Sequence, residues 1–314
     1  MKAYGLFSFL VLVLAATGFA QTTTTQSVRF DVNGNPIPAG STSESKTDAG
    51  GKTVRTEYSV GINGERVPLS STEEVKTEQN GHTIVEQVIR RFDQNGQQTS
   101  SERVVTDEKK LGNGNVEQNK TVYNSDVNGN ESLYERAVTK TEGNTTVTNV
   151  EKRGLDGSLA LAERQTSTTE KKPDGSKTES AIFRRDNNGN LYEVVKEEKE
   201  TKKQGAQTVN TDATYVVQGD GRFALQAKTV THEVPQADGT VAKKIEVYGE
   251  QVPGVTNDSG RPELKEVQTV QQRKASDGSV IQVTTSQKAE VTGNGRLTSP
   301  QVISETVTTK TNQP

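Results

Sequence analysis

The string Asp-Val-Asn-Gly-Asn occurs twice in this chain, at 31–35 and at 126–130. Oxygen-bearing side chains at alternate positions are what the opening of a calcium loop presents to its ion. The match stops there: glycine stands fourth rather than sixth, and no Glu follows at the twelfth position of either copy. Asp, Asn and Gly in this order instead suit a type I turn followed by a residue of positive φ. The spacing therefore predicts a three-residue hairpin loop closed by a glycine bulge.

Other chemistry is sparse. His82 and His232 lie far apart, with neither Cys nor clustered carboxylates as co-ligands, so no metal site is expected, and His82 is read as a solvated turn residue. Gly-Asn-Gly-Asn at 112–115 lacks the strand-to-helix setting of a phosphate loop. Ser and Asp are plentiful, but no nucleophile, base and orienting group stand apart from the repeat. The sequence thus reads as non-enzymatic and without cofactors, with a hidden hydrolase as the remaining catalytic alternative.

The turn belongs to a repeat. Glycine preceded by Asn or Asp recurs every fifteen to eighteen residues or so along most of the chain. Turns of the first kind include FDVNG (30–34), FDQNG (92–96), SDVNG (125–129), RDNNG (185–189) and QGDGR (218–222). Between them fall turns of a second kind, such as KTEQNGHTI (76–84), KTEGNTTV (140–147) and KKPDGSKT (171–178). Segments such as KTVRTEYSV alternate with period two and are rich in β-branched residues, which marks them as strands. The expected fold is all-β, an antiparallel up-and-down meander of β-hairpins with a two-strand unit of about thirty-two residues, forming an extended or curled sheet.

The bulged loop also sets register. It places Tyr123 opposite Leu133, Tyr215 opposite Leu225 and Val217 opposite Phe223, with Phe30, Phe92, Phe183, Leu159, Leu161 and Leu191 on the same face. The other face is mostly Thr, Ser, Glu, Lys and Gln. A closed barrel is a third arrangement of the same strands. An outer-membrane barrel fits least, because strands such as NVEQNKTVYNSD supply neither a continuous apolar band nor aromatic girdles.

Composition bounds the rest. Hydrophobic residues are 29% of 314, aromatics 4%, and net charge is −3; mean hydropathy is −0.77. There is no cysteine, so neither disulfides nor thiolate metal sites stabilise the fold. Residues 1–20 have a Lys, an apolar run and a small-residue end, which reads as a signal peptide cleaved near Ala20. The organisation expected is signal peptide 1–20, regular hairpin repeats 21–246, and irregular repeats with a cap over 247–314. The mature chain is expected to be secreted, periplasmic or at the cell surface, without a transmembrane segment.

FAQTTTTQ, DVNG, NGERVPL and the VPG…SG segment together resemble a group of secreted repeat proteins of acidobacteria. That resemblance implies export and repetition only. The aromatic-x-x-Asp-x-x-Gly spacing is more loosely similar to the tyrosine-aspartate repeats of bacterial cell-surface proteins. The function expected from these features is a structural or adhesive envelope element acting by many weak contacts. The alternative is a discrete module for polysaccharide or another envelope component, with specificity in the irregular segment 247–263. Lys109, Lys110, Lys140, Lys171, Lys172, Lys202 and Lys203 mark one long edge and are candidates for polyanion binding. No nucleic acid is expected as a partner; strand-to-strand self-association is.

Overall fold

The computed structural model describes residues 21–31, 35–37, 40–48, 50–61, 63–126, 128–186, 188–249, 262–289 and 297–312. The signal segment and most of 247–263 lie outside the described residues, as do the tips of several turns. The described chain is a run of antiparallel strands: β1 (Gln21–Arg29), β2 (Gly40–Thr47), β3 (Thr53–Val60), β4 (Arg66–Gln79), β5 (His82–Phe92) and β6 (Gln98–Lys110). It continues through β7 (Val116–Ser125), β8 (Glu131–Glu142), β9 (Thr145–Arg153), β10 (Leu159–Lys172), β11 (Gly175–Arg185) and β12 (Leu191–Gln204). The last six are β13 (Gln207–Val217), β14 (Phe223–Pro235), β15 (Val241–Gly249), β16 (Glu263–Lys274), β17 (Val280–Lys288) and β18 (Gln301–Asn312).

The turns that join them have the expected chemistry. In the second Asp-Val-Asn-Gly-Asn copy, the Gly129 N–H donates to the Asp126 carbonyl at 3.0 Å and the Asp126 N–H to the Asn130 carbonyl at 3.1 Å. Gly129 has φ 81°, a conformation that costs a side-chain-bearing residue about 1 to 2 kcal/mol. The register that follows is the one read from sequence: Tyr123 pairs with Leu133, Tyr215 with Leu225 and Val217 with Phe223.

A second irregularity was not read from sequence. Each even strand from β4 to β18 leaves one residue unpaired against the strand before it: Leu69, Thr99, Tyr134, Ala162, Val194, Gln226, Lys265 and Ile303. A bulge bends its strand and raises the local right-handed twist. Eight of them, all toward the first-kind turns, coil the sheet the same way.

The coiling runs to closure. β1 pairs with β2 on one side and with β18 on the other, from Gln21 opposite Asn312 to Arg29 opposite Ser304. The expectation of an extended or curled sheet is therefore corrected: the meander is a closed barrel of eighteen strands. Alternation along a strand reports which face a residue occupies, but curvature resides in the bulges, where the alternation slips. With strands about 4.8 Å apart and tilted about 40°, the wall is roughly 35 Å across.

That wall is one layer thick around a hollow. The accessible area is 21294 Å², against about 12,800 Å² for a solid monomer of this mass. Among the described residues no large side chain is fully buried, and the most buried are small or β-branched, such as Thr42, Val104, Val122 and Val267.

Glycine matters most where backbones meet. A Cβ on Gly175 would overlap the Thr201 carbonyl oxygen of the facing strand, whereas one on Gly112 would meet nothing. Gly175→Ala should lower the thermal midpoint clearly, while Gly112→Ala should stay within about 0.5 kcal/mol of the parent. Equal effects in thermal unfolding would contradict this packing.

Candidate functional site

Paired residues share a face of the sheet, so the register divides the wall into two surfaces. One is a hydroxyl face. Its side chains bond across strands as Thr25–Thr308, Ser27–Thr306, Thr47–Thr53, Thr139–Thr148, Thr141–Thr146 and Thr169–Thr178, at 2.8 to 3.4 Å. Its charges are paired as well. Glu135 meets Lys120 at 3.7 Å and Lys152 at 3.6 Å, Glu163 meets Arg184 at 3.2 Å, and Glu102 meets Arg91 at 3.8 Å.

The opposite, aromatic face carries Tyr58, Phe92, Tyr123, Phe183, Tyr215 and Tyr248, all in the half of the wall nearest the first-kind turns. Immediately below this ring lies a row of cations. Arg103, Arg136, Arg164, Lys196 and Lys228 each stand seven residues after the glycine of the preceding turn, on β6, β8, β10, β12 and β14. Four of the five face an aromatic residue on the next strand: Arg103 faces Tyr123, Arg164 faces Phe183, Lys196 faces Tyr215 and Lys228 faces Tyr248. The Arg103 guanidinium lies 4.3 Å from the Tyr123 ring centre, and the Lys228 ammonium 5.8 Å from that of Tyr248. Lys196 lies 4.4 Å from the ring of Phe223.

These cations differ in how far they are neutralised. Arg103 is held by Glu131 at 2.7 Å and Glu86 at 3.5 Å. Among the described residues Arg164 donates to the Asn149 amide oxygen, and Lys196 has Glu193 at 3.9 Å. Among the described residues, no carboxylate lies within ion-pair distance of Arg136, Arg164 or Lys228. Sequence reading missed the row, although its constant offset from the turn glycine was there to be found.

The lysine edge read from sequence is distributed differently. Lys109 and Lys110, Lys171 and Lys172, and Lys202 and Lys203 are neighbours in sequence and so point to opposite faces. Lys140 approaches Glu117 at 3.9 Å, Lys172 approaches Glu170 at 3.8 Å and Lys202 approaches Glu200 at 2.8 Å. The seven lysines thus stand on the second-turn rim without forming one surface.

Turn carboxylates are spent locally. Asp126 Oδ1 accepts from the N–H of Asn128 at 2.8 Å and of Asn130 at 2.9 Å, while Oδ2 accepts from the Asn130 side chain at 3.0 Å. Asp186 accepts from the N–H of Asn188 and of Asn190. Among the described residues no group of three or more His, Asp or Glu is placed to hold a metal. His82 stands at the start of β5 rather than in the turn, and its Nδ1 lies 2.8 Å from Asp107 Oδ1 across the β5–β6 pair.

No protein-family model and no curated protein matches this sequence. Solved structures do. The Pseudomonas aeruginosa OccK2 (OpdF) structure in complex with glucuronate has a TM-score of 0.55 at 10% identity, covering 94% of this chain and 98% of that one. The P. aeruginosa OpdK structure with vanillate gives 0.55 at 10% identity, covering 94% and 100%. P. aeruginosa OccK8 (OprE) gives 0.54 at 9% identity, covering 95% and 100%. The chain shares their fold.

This overturns several expectations. A structural or adhesive envelope element, or a module for polysaccharide, was read from an open array whose repeats act separately; here the hairpins are staves of one barrel with the fold of outer-membrane proteins. Polysaccharide or other envelope partners, the missing transmembrane segment and a freely secreted or periplasmic location fall with it. No described helix is long and apolar enough to cross a membrane, but a barrel crosses with strands. An envelope location agrees with the fold. The non-enzymatic reading agrees with that fold.

The turn carboxylates predict an acid limit. Hydrogen bonds from the Asn130 side chain and backbone hold Asp126 below the ordinary range, the Asn130 counterpart Asn190 does so for Asp186 through its N–H, and the side chain and N–H of Ser158 do so for Asp156. A carboxylate with a lowered folded pKa stabilises above its unfolded value, about 3.9, and that contribution is lost as pH falls through the folded value. Stability should be flat from pH 7 to about 5 and fall below about 4, and Asp126→Asn with Asp186→Asn should flatten the fall. Denaturant midpoints against pH check it; an acid slope unchanged in the double variant would contradict it.

Proposed function

We propose that the chain is a channel-forming barrel of the outer membrane, with the hydroxyl face lining a water-filled passage for small polar solutes and the aromatic face turned outward. The observation that carries this reading is closure: a one-layer wall of eighteen strands, joined between β1 and β18. Barrels of sixteen to eighteen strands are wide enough to leave an aqueous channel.

Face chemistry supports the orientation. Threonine and serine hydroxyls exchange hydrogen bonds with water readily, while Tyr, Phe and Leu gain by leaving it. The structures that share the fold contain glucuronate in one case and vanillate in another, and the solutes proposed here are of that small polar class. On the hydroxyl face, carboxylates and cations stand beside one another, as in Glu135 with Lys120 and Lys152, so the passage should discriminate weakly by charge.

Single-channel recording on residues 21–314 in planar bilayers tests this. Stepwise, ohmic current with weak selectivity between potassium and chloride is expected. Full incorporation without current, shown by protease protection, would contradict the channel.

A further inference from the structure

We propose that Asn80 is a site of spontaneous deamidation, at which the folded chain acquires aspartate and isoaspartate on its second-turn rim in preference to the Asn–Gly steps held in bulged loops. The chemistry needs neither a cofactor nor a membrane. The Gly81 amide nitrogen bonds to Asn80 Cγ, the Cγ–Nδ2 bond breaks, and ammonia leaves with the proton that the amide gave up. Water then opens the cyclic imide at either carbonyl, so water is consumed, ammonia is released and no electron changes hands.

Asn precedes Gly at eight places, of which Asn33–Gly34 and Asn294–Gly295 lie outside the described residues. Exposure does not tell the rest apart, since Asn63, Asn80, Asn95, Asn128 and Asn188 are all exposed. Hydrogen bonding of the glycine does. The N–H groups of Gly64, Gly96, Gly129 and Gly189 donate to the carbonyls of Gly61, Asp93, Asp126 and Asp186 respectively, at 3.0 to 3.1 Å. In the last three of those loops the aspartate carboxylate also accepts from the Asn N–H, at 2.8 Å. Among the described residues the N–H groups of Asn80 and Gly81 have no acceptor, and a Cβ on Gly81 would meet nothing. Asn113–Gly114 lies in a 3-10 turn closed by the Leu111 N–H on the Asn115 carbonyl at 2.8 Å.

The turn type produces this difference. Gln79 pairs directly with His82, so Asn80 and Gly81 are the whole loop, at φ 53° and 78°. That is a type I′ turn, in which both residues take the left-handed region and Asn–Gly is favoured. Asn80 is the one non-glycine residue there among those described. The other two-residue loops, Gly143–Asn144, Pro173–Asp174 and Gly205–Ala206, do not place Asn before Gly. A nitrogen that donates to a carbonyl must give up that bond before it attacks, and the bond also opposes loss of its proton. Gly81 has no such bond to lose. The net strength of one backbone hydrogen bond makes the step about two- to tenfold slower in the bulged loops. Isoaspartate then routes the main chain through the side-chain methylene. That lengthens a loop which fits two residues and frays the adjoining end of the β4–β5 pair, where His82 meets Asp107.

The test follows the folded mature chain, residues 21–314, through storage in warm, mildly alkaline buffer, with peptide mapping by mass spectrometry and enzymatic methylation to mark isoaspartate. Asn80 should convert about two- to tenfold faster than Asn63, Asn95, Asn128 and Asn188. In urea, where no turn persists, these rates should converge. Asn80→Gly, which a type I′ turn accepts, should remove the modified peptide while circular dichroism stays strand-rich. Equal rates in the folded chain would overturn the assignment, as would a bulged-loop Asn that converts first. A lead of Asn80 that persists undiminished in urea would belong to its flanking residues rather than to the turn, which overturns it too. Channel current plays no part in the readout, so failure of the channel leaves this result intact.

Discussion

The structure depends on one extra residue per hairpin, placed twice. The glycine-bulge loop fixes register, as where Gly129 bonds back to Asp126, and the bulge a few residues on, as at Tyr134, turns the strand. Register without the bulge would leave a gently twisted ribbon with two exposed edges. Repeated bulges bring β18 against β1, and closure removes the edges, so self-association by strand addition loses its template. The hollow follows from the same geometry, because eighteen strands enclose more space than half-buried side chains can fill.

Stability in such a wall is a sum of small, similar terms. Cross-strand pairs contribute about 0.2 to 1 kcal/mol each, and the threonine pairs and aromatic–leucine pairs are of this kind. Exposed ion pairs such as Lys76–Glu78 add little individually. Backbone pairing around a closed circumference is therefore what makes the fold cohere, which explains how a chain with so few apolar residues and no cysteine holds a defined shape. The seam is the plainest case: β1 contributes four consecutive threonines, and two hydroxyl contacts, Thr25–Thr308 and Ser27–Thr306, sit on its backbone ladder.

Local chemistry was legible in the sequence. Asp, Asn and Gly at fixed offsets specified the loop, the loop specified register, and register put Tyr123 against Leu133 and Tyr215 against Leu225 as read. Closure was not, since Tyr134, Ala162 and Val194 carry no signature of being unpaired; any residue that tolerates a strand serves at a bulge. Reading face chemistry strand by strand also missed the aromatic ring, because NVEQNKTVYNSD alternates hydroxyl and aromatic faces and its only ring, Tyr123, joins the others only when all strands are aligned. Attention to lysines at turns hid the cations inside strands. His82 was placed in a turn by its Asn-Gly neighbour, but β5 begins at that residue and carries it to Asp107.

Closure is the central claim, and the seam tests it most directly. Thr25→Cys with Thr308→Cys places two thiols on a directly paired position in a chain that has no other cysteine. Mild oxidation of dilute protein should give a reducible, intramolecular disulfide that changes gel mobility, while Thr25→Cys with Val150→Cys, on the far side of the wall, should give none. Absence of the intramolecular bond in a folded protein, or its replacement by disulfide-linked dimers, would show that β1 and β18 are free edges and that the barrel is not closed.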